Sequence, residues 1–191
     1  MAIDQTALNI FKKFANEKVA IVMALSQESN QHLEKNGYHI FYTGVGLVNS
    51  TLSLTQFIEV ARPERIINLG TAGSLNIPIG ELVEVSGVVQ REPILKFLKK
   101  EMRLNCITSL PQVVCGSADH IEILNKEQKY SYDIVDMECF ALAKVCQTYK
   151  LPFHSVKFIT DMSNDQTQDV WKMNLEKSGL KFVEFLNNLN Q

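Results

Sequence analysis

The sequence predicts an α/β fold in which one sheet of short strands is covered by helices, and three observations predict it. Short β-branched runs alternate with stretches of helical periodicity along the whole chain. The last stretch carries a continuous apolar stripe. Six strand ends run directly into polar or glycine-rich groups, where open α/β sheets bind their ligands.

In chain order, residues 4–17 read as an amphipathic helix. Charges scatter through the apolar residues of MAIDQTALNIFKKFANEK and no small-residue cleavage site follows, so the segment is not a signal peptide. A strand over Val19–Leu25 ends in Ser26-Gln27-Glu28, and one over His39–Thr43 ends in Gly44-Val45-Gly46. A helix over 48–61 leads to a strand over Ile66–Leu69, followed by Gly70-Thr71-Ala72-Gly73-Ser74. A strand over Leu82–Val89 and a helix over 94–102 come next. The strand Gln112–Cys115 ends in Gly116-Ser117-Ala118-Asp119 and precedes a helix over 119–129. The strand-like pair Ile134 and Val135 ends in Asp136-Met137-Glu138, the acidic start of a helix over 136–149 with Met137, Phe140, Ala141 and Val145 on one side. The strand Ser155–Ile159 ends in Thr160-Asp161-Met162-Ser163. The last helix, 166–189, has Trp171, Leu175, Phe182, Phe185, Leu186 and Leu189 in its stripe.

With 191 residues, 46% of them apolar, the chain supports one core of ordinary size, and no linker, repeat or low-complexity stretch divides it, so 1–191 reads as one domain. A net charge of −2 supplies no basic field, which excludes nucleic acid and anionic membranes as expected partners. No apolar run is long enough to span a bilayer, and a soluble cytoplasmic protein is the expectation. Cys106, Cys115, Cys139 and Cys146 lack CxxC spacing and sit in apolar stretches, so reduced, buried thiols are expected, with neither disulfides nor zinc. His32, His39, His120 and His154 form no metal-binding pattern, and no metal or cofactor is expected.

The glycine turns match neither GxGxxG nor GxxxxGK[ST], so each fits a tight turn as well as a close ligand approach. Glu28, Glu138 and Asp161 are more informative. A carboxylate just beyond a buried strand is partly desolvated, and three of them suit acid–base chemistry; Glu138 and Asp161 equally suit helix capping. His120 fits either a helix start or a ligand contact. The absence of a GxSxG elbow and of an activating cysteine context disfavours nucleophilic acyl transfer.

Taken together, Val-Ala-Ile-Val-Met-Ala-Leu-Ser-Gln-Glu (19–28), Tyr-Thr-Gly-Val-Gly-Leu-Val-Asn-Ser (42–50), Ile-Asn-Leu-Gly-Thr-Ala-Gly-Ser-Leu (67–75), Val-Asp-Met-Glu-Cys-Phe-Ala-Leu-Ala-Lys-Val-Cys (135–146) and Phe-Ile-Thr-Asp-Met-Ser-Asn (158–164) resemble the nucleoside phosphorylase and nucleosidase superfamily. Its 5'-methylthioadenosine/S-adenosylhomocysteine nucleosidase branch is the most similar. The Asp-Met-Glu helix start and the later Thr-Asp segment are the specific matches. The resemblance implies a three-layer α/β/α sandwich with a central mixed sheet.

It also implies hydrolysis of the N-ribosidic bond of a purine nucleoside, without a cofactor. Asp161 matches the general acid at purine N7, with a pKa nearer neutrality than an exposed Asp's. Glu28 matches the residue that positions and deprotonates the attacking water, and Glu138 the carboxylate that grips the ribose hydroxyls beside Met137. Val45, Thr71, Ala72 and Gly73 would line the sugar and base pocket, with Thr160 and Ser163 flanking the acid. Trp171 matches an aromatic cover of the 5'-substituent; its other reading is core anchor of the last helix. A homodimer is implied, because the family's pockets are commonly completed across a subunit interface.

Three departures stand out. Asp119 or His120 takes the place of the aromatic residue that stacks on the purine. The segments near 28–40 and after Val89 are shortened. Residues 1–18 form an extra N-terminal helix. A phosphorylase needs arginine at the sugar, and Arg91 alone is suitably placed, since Arg62 and Arg65 precede their strand and Asn68-Leu69 stand before the third glycine turn. Phosphorolysis is therefore the second reading, and a non-catalytic nucleoside-binding relative the third.

Overall fold

A computed structural model describes residues 11, 13, 14, 17–91, 101–121, 123, 129–165 and 167–189. Strand β1 (Val19–Met23) is followed by two short helices, α1 (Ser26–Ser29) and α2 (His32–Lys35), then β2 (Ile40–Tyr42) and α3 (Leu47–Ala61). Next come β3 (Arg65–Ser74), β4 (Leu82–Gln90), β5 (Glu101–Arg103), β6 (Gln112–Ser117) and β7 (Ile134–Asp136). Helix α4 (Cys139–Tyr149), β8 (Phe153–Asp161) and α5 (Thr167–Leu189) complete the order.

The eight strands form one mixed sheet in the order β2-β1-β3-β7-β6-β4-β5, and β8 bridges β3 and β4. Because β8 pairs with both, β3, β8, β4, β6 and β7 close a circuit. Strands β4, β6 and β7 run opposite to β3 and β8. The short antiparallel pairing of Gly73 with Val135 and Ser74 with Ile134 directs the chain leaving β7 back toward Ala72. Closure, rather than a shared strand direction, therefore brings the ends of β7 and β8 together.

Side-chain alternation along β1 and β3 separates two cores, since successive strand residues face opposite sides of a sheet. Ala20, Val22 and Ile66 pack with Leu54, Phe57 and Ala61 of α3 and with Leu142 and Cys146 of α4. Ile21, Met23, Ile67 and Leu69 pack with Leu33 and with Phe182, Phe185 and Leu186 of α5. These are the two helical layers of the α/β/α sandwich.

Several elements differ from the sequence reading. The segment Gly70–Ser74 is not a turn but the second half of β3, and neither Gly70 nor Gly73 adopts a positive φ. Their lack of a side chain serves close packing instead. A Cβ on Gly70 would sit 3.0 Å from Lys157 Nζ. The register of β3 on β8 shifts between Ala72 and Gly73, placing Gly73 opposite Asp161. Glu101 and Met102, expected to end a helix over 94–102, instead form with Arg103 an edge strand on Gly87–Val89, where ladder bonds outweigh a weak helical pattern; residues 94–100 of that expected helix lie outside the described residues. Asp119–Ile121 is not helical, and 122 and 124–128 lie outside as well. Helix α4 starts at Cys139, not 136, because Asp136 belongs to β7.

Most of the expected N-terminal helix also falls outside the description, but Phe11 and Phe14 are buried in an aromatic cluster with Phe41 and Phe57. The cysteines are free thiols; Cys115, Cys139 and Cys146 are buried, whereas Cys106 is half-buried. Among the described residues, no helix is long and apolar enough to cross a membrane.

Candidate functional site

A cavity of about 340 Å³ opens where β1, β3, β7 and β8 end. Four carboxylates line it, and all are buried: Glu28 is 4% exposed, Asp136 7%, Glu138 8% and Asp161 3%. Val45, Thr71, Ala72, Gly73, His120, Met137, Thr160, Ser163 and Trp171 line the same cavity. Asp119 does not. Its carboxylate points to the start of α3, where it accepts the Leu47 N–H at 2.5 Å.

Glu28 lies on the single turn of α1, whose position is fixed from below by α5. Ser178 Oγ donates to the Glu28 carbonyl at 2.8 Å, and Gly179 lies so close that a Cβ there would be 2.2 Å from the Ser29 carbonyl oxygen. The Glu28 carboxylate is then oriented by three donors. Oε1 accepts the Thr71 N–H at 2.8 Å and the Thr71 hydroxyl at 2.9 Å, and Oε2 accepts the Leu25 N–H at 3.1 Å. Trp171 Nε1 donates to the same Thr71 hydroxyl at 3.0 Å. The indole is thus half-buried at the cavity wall rather than an anchor in either core, and Phe182, Phe185 and Leu186 fill that second role.

Glu138 precedes the first turn of α4 and receives the Gly46 N–H on Oε1 at 2.9 Å. Gly46 has φ +93°, and a Cβ there would meet Asp119 Oδ1 at 2.6 Å, so glycine is required on both counts. Burial, with the charge of Asp136 next, pushes the Glu138 carboxyl up to about 8.

Asp161, at the end of β8, is held by protein donors on both oxygens. Oδ1 accepts the Ser163 N–H at 2.9 Å and the Thr167 hydroxyl at 3.1 Å; Oδ2 accepts the Thr160 hydroxyl at 2.9 Å. Gly73 makes room for it, since a Cβ at 73 would lie 2.7 Å from Asp161 Oδ1.

In the cavity wall the sequence reading missed a buried ion pair that includes Asp136. Lys157 Nζ lies 2.8 Å from Asp136 Oδ2, and both side chains are at most 2% exposed. Asp136 also accepts the Ser117 hydroxyl at 2.5 Å and the Cys139 N–H at 2.9 Å. Burial alone would raise the Asp136 carboxyl, but Lys157 and these bonds hold it below its ordinary value. Burial alone would lower Lys157, and Asp136 instead raises it. The signal for this pair was a lysine inside the apolar run 153–161, since a charge in a fully covered strand requires a counter-ion. The Cys115 and Cys139 thiols lie within 4.8 Å of Asp136, whose charge is already compensated by Lys157. The rim of the cavity adds Arg91, Gln168 and Lys172. Arg91 Nη2 donates to the His120 carbonyl at 2.8 Å.

The sequence model of the phosphorylase superfamily matches residues 96–189. The chain is 27% identical over 219 aligned positions to a 5'-methylthioadenosine/S-adenosylhomocysteine nucleosidase of Buchnera aphidicola, an alignment covering 86% of this chain and 92% of the relative. Among solved structures, the 5'-methylthioadenosine/S-adenosylhomocysteine nucleosidase of Helicobacter pylori superposes with a TM-score of 0.78 at 21% identity, covering 90% of this chain and 97% of the other. A futalosine hydrolase mutant of the same organism gives 0.77 at 22%, with the same coverage. The fold is that of these solved structures, and the sequence is similar to the phosphorylase superfamily over residues 96–189 and to the nucleosidase over most of its length.

Proposed function

We propose that the protein hydrolyses the N-ribosidic bond of a purine nucleoside of the 5'-methylthioadenosine or S-adenosylhomocysteine type, releasing base and sugar. The observation that carries this reading is the meeting of Glu28, Glu138 and Asp161, all buried, around one cavity. Breaking the bond gives the ribose oxocarbenium character and leaves the purine in need of a proton. Asp161 donates that proton at N7 as the C1'–N9 bond breaks. Glu28, with both oxygens oriented, takes a proton from the water whose oxygen bonds to C1'. Glu138 binds the ribose hydroxyls. Near neutral pH a carboxyl titrating at about 8 presents a donor as well as an acceptor to them. Met137 packs beside the sugar, and Trp171 covers the 5'-substituent from a position fixed by Thr71. His120 takes the base-stacking place. Asp119 is left out, because it is engaged at α3.

Arg91 lines the cavity and is the group that favours phosphorolysis, but it donates to the His120 carbonyl. No second arginine joins it among the lining residues, so water is the preferred nucleophile. The proposal extends to a cytoplasmic homodimer. On α3, Val48 is 74% exposed and Leu52, one turn on, 50% exposed. The Leu47–Asp119 bond brings this helix start beside the loop that carries the exposed Ile121 and Ile123. An apolar surface at the rim of the site suits a subunit contact.

Glu28→Gln tests the assignment of the water-activating group. The variant is expected to bind a nucleoside by calorimetry with near wild-type affinity while base release falls by about 100-fold or more. Loss of binding together with turnover would give Glu28 a structural role instead.

A further inference from the structure

Ser163 combines three properties that packing alone does not explain. The residue lines the cavity and is 1% exposed. Its backbone lies in the left-handed region at φ +47°, unfavourable for a residue with a Cβ. Its Oγ has no hydrogen-bond partner among the described residues, whereas buried hydroxyls normally have one. Gly73 leaves the space that this hydroxyl occupies, since a Cβ there would lie 2.1 Å from Ser163 Oγ.

The position of the hydroxyl is set by the acid. The Ser163 N–H is bonded to Asp161 Oδ1, so the serine cannot move independently of the carboxylate proposed to serve N7. Asp161 already accepts two bonds on Oδ1 and one on Oδ2, which leaves it little capacity for a second contact to the base. On a purine, N7 and the substituent at C6 lie on the same edge. A group fixed beside the N7 partner meets that substituent.

Resting on the nucleosidase reading, we propose that the Ser163 hydroxyl recognises the C6 substituent of the purine while Asp161 serves N7. A hydroxyl both donates and accepts, so it accepts from a 6-amino group and donates to a 6-oxo group. The site therefore takes adenine-type and hypoxanthine-type nucleosides alike and favours both over a purine with hydrogen at C6.

The test measures kcat/KM for 6-amino, 6-oxo and 6-hydrogen purine ribosides that share one 5' group, in the wild type, Ser163→Ala and Ser163→Gly. The glycine variant removes the hydroxyl and accepts the left-handed backbone, so a folded comparison is secured. The ratio of C6-substituted to C6-hydrogen substrates is expected to fall about tenfold in both variants. An unchanged ratio, whatever the absolute rates, overturns the assignment. Calorimetric titration with adenine, hypoxanthine and unsubstituted purine reads the same preference without turnover. A Ser163-dependent preference in a wild type that cleaves nothing would sink the hydrolytic reading and keep this one. A wild type that binds no purine base would sink both.

Discussion

Lys157 and Asp136 form an ion pair of 2.8 Å in which neither side chain is more than 2% exposed, and Asp136 lines the cavity. Removing one member strands the other as a buried charge. Lys157→Met is expected to lower unfolding stability in urea by about 3–5 kcal/mol, and adding Asp136→Asn to recover most of the loss. Equal instability of the single and double variants would show that the two residues are not coupled.

Glu138 makes a pH-dependent contribution of the opposite kind to an exposed carboxylate. Its carboxyl titrates at about 8 in the folded protein against an ordinary 4.5, so between those values the folded state holds a proton that the unfolded state has lost. Stability from this group is present below about 4.5 and declines as pH rises through 8. Glu138→Gln is expected to flatten that part of the melting temperature profile. A variant profile parallel to the wild type from pH 5 to 8 would remove Glu138 as its source.

Asp161→Asn keeps the shape of the side chain and removes the proton. Base release is expected to fall by about 100- to 10,000-fold, while circular dichroism and melting remain close to the wild type. Undiminished turnover would take Asp161 out of the mechanism.

Gly179 acts on Glu28 at a distance. A Cβ at 179 lands 2.2 Å from the Ser29 carbonyl oxygen, and backbone cannot yield as a flexible side chain does. Gly179→Ala must push α5 away from α1 and stretch the bond from Ser178 to the Glu28 carbonyl. The expected result is a stability loss of about 1–3 kcal/mol with a fall in kcat larger than any change in KM. A variant with wild-type kcat would show that Glu28 does not depend on this contact.

Much of this arrangement could be read in the sequence because strand ends and helix starts have local signatures. Glu28, Asp136-Met137-Glu138 and Thr160-Asp161 each follow an apolar run, and that suffices to place them at the sheet's rim. The apolar stripe of the last helix likewise located Phe182, Phe185 and Leu186 in the core. The misread features depend on contacts between distant segments. Gly70-Thr71-Ala72-Gly73 looks like a turn locally, yet pairing with β8 makes it strand. Asp119 looked like a base contact, yet its partner is the Leu47 N–H, 72 residues away. Closure of β7 onto β3 and the match of Lys157 to Asp136 have no local pattern, because each is decided by how the strands pair.

The most direct measurement is chromatography of the products after incubating the pure protein with 5'-methylthioadenosine, S-adenosylhomocysteine, adenosine and inosine, each with and without phosphate. The account predicts free base and free sugar from at least one of them, in amounts independent of phosphate. A sugar 1-phosphate formed only when phosphate is present, or no base released from any of the four, would contradict it.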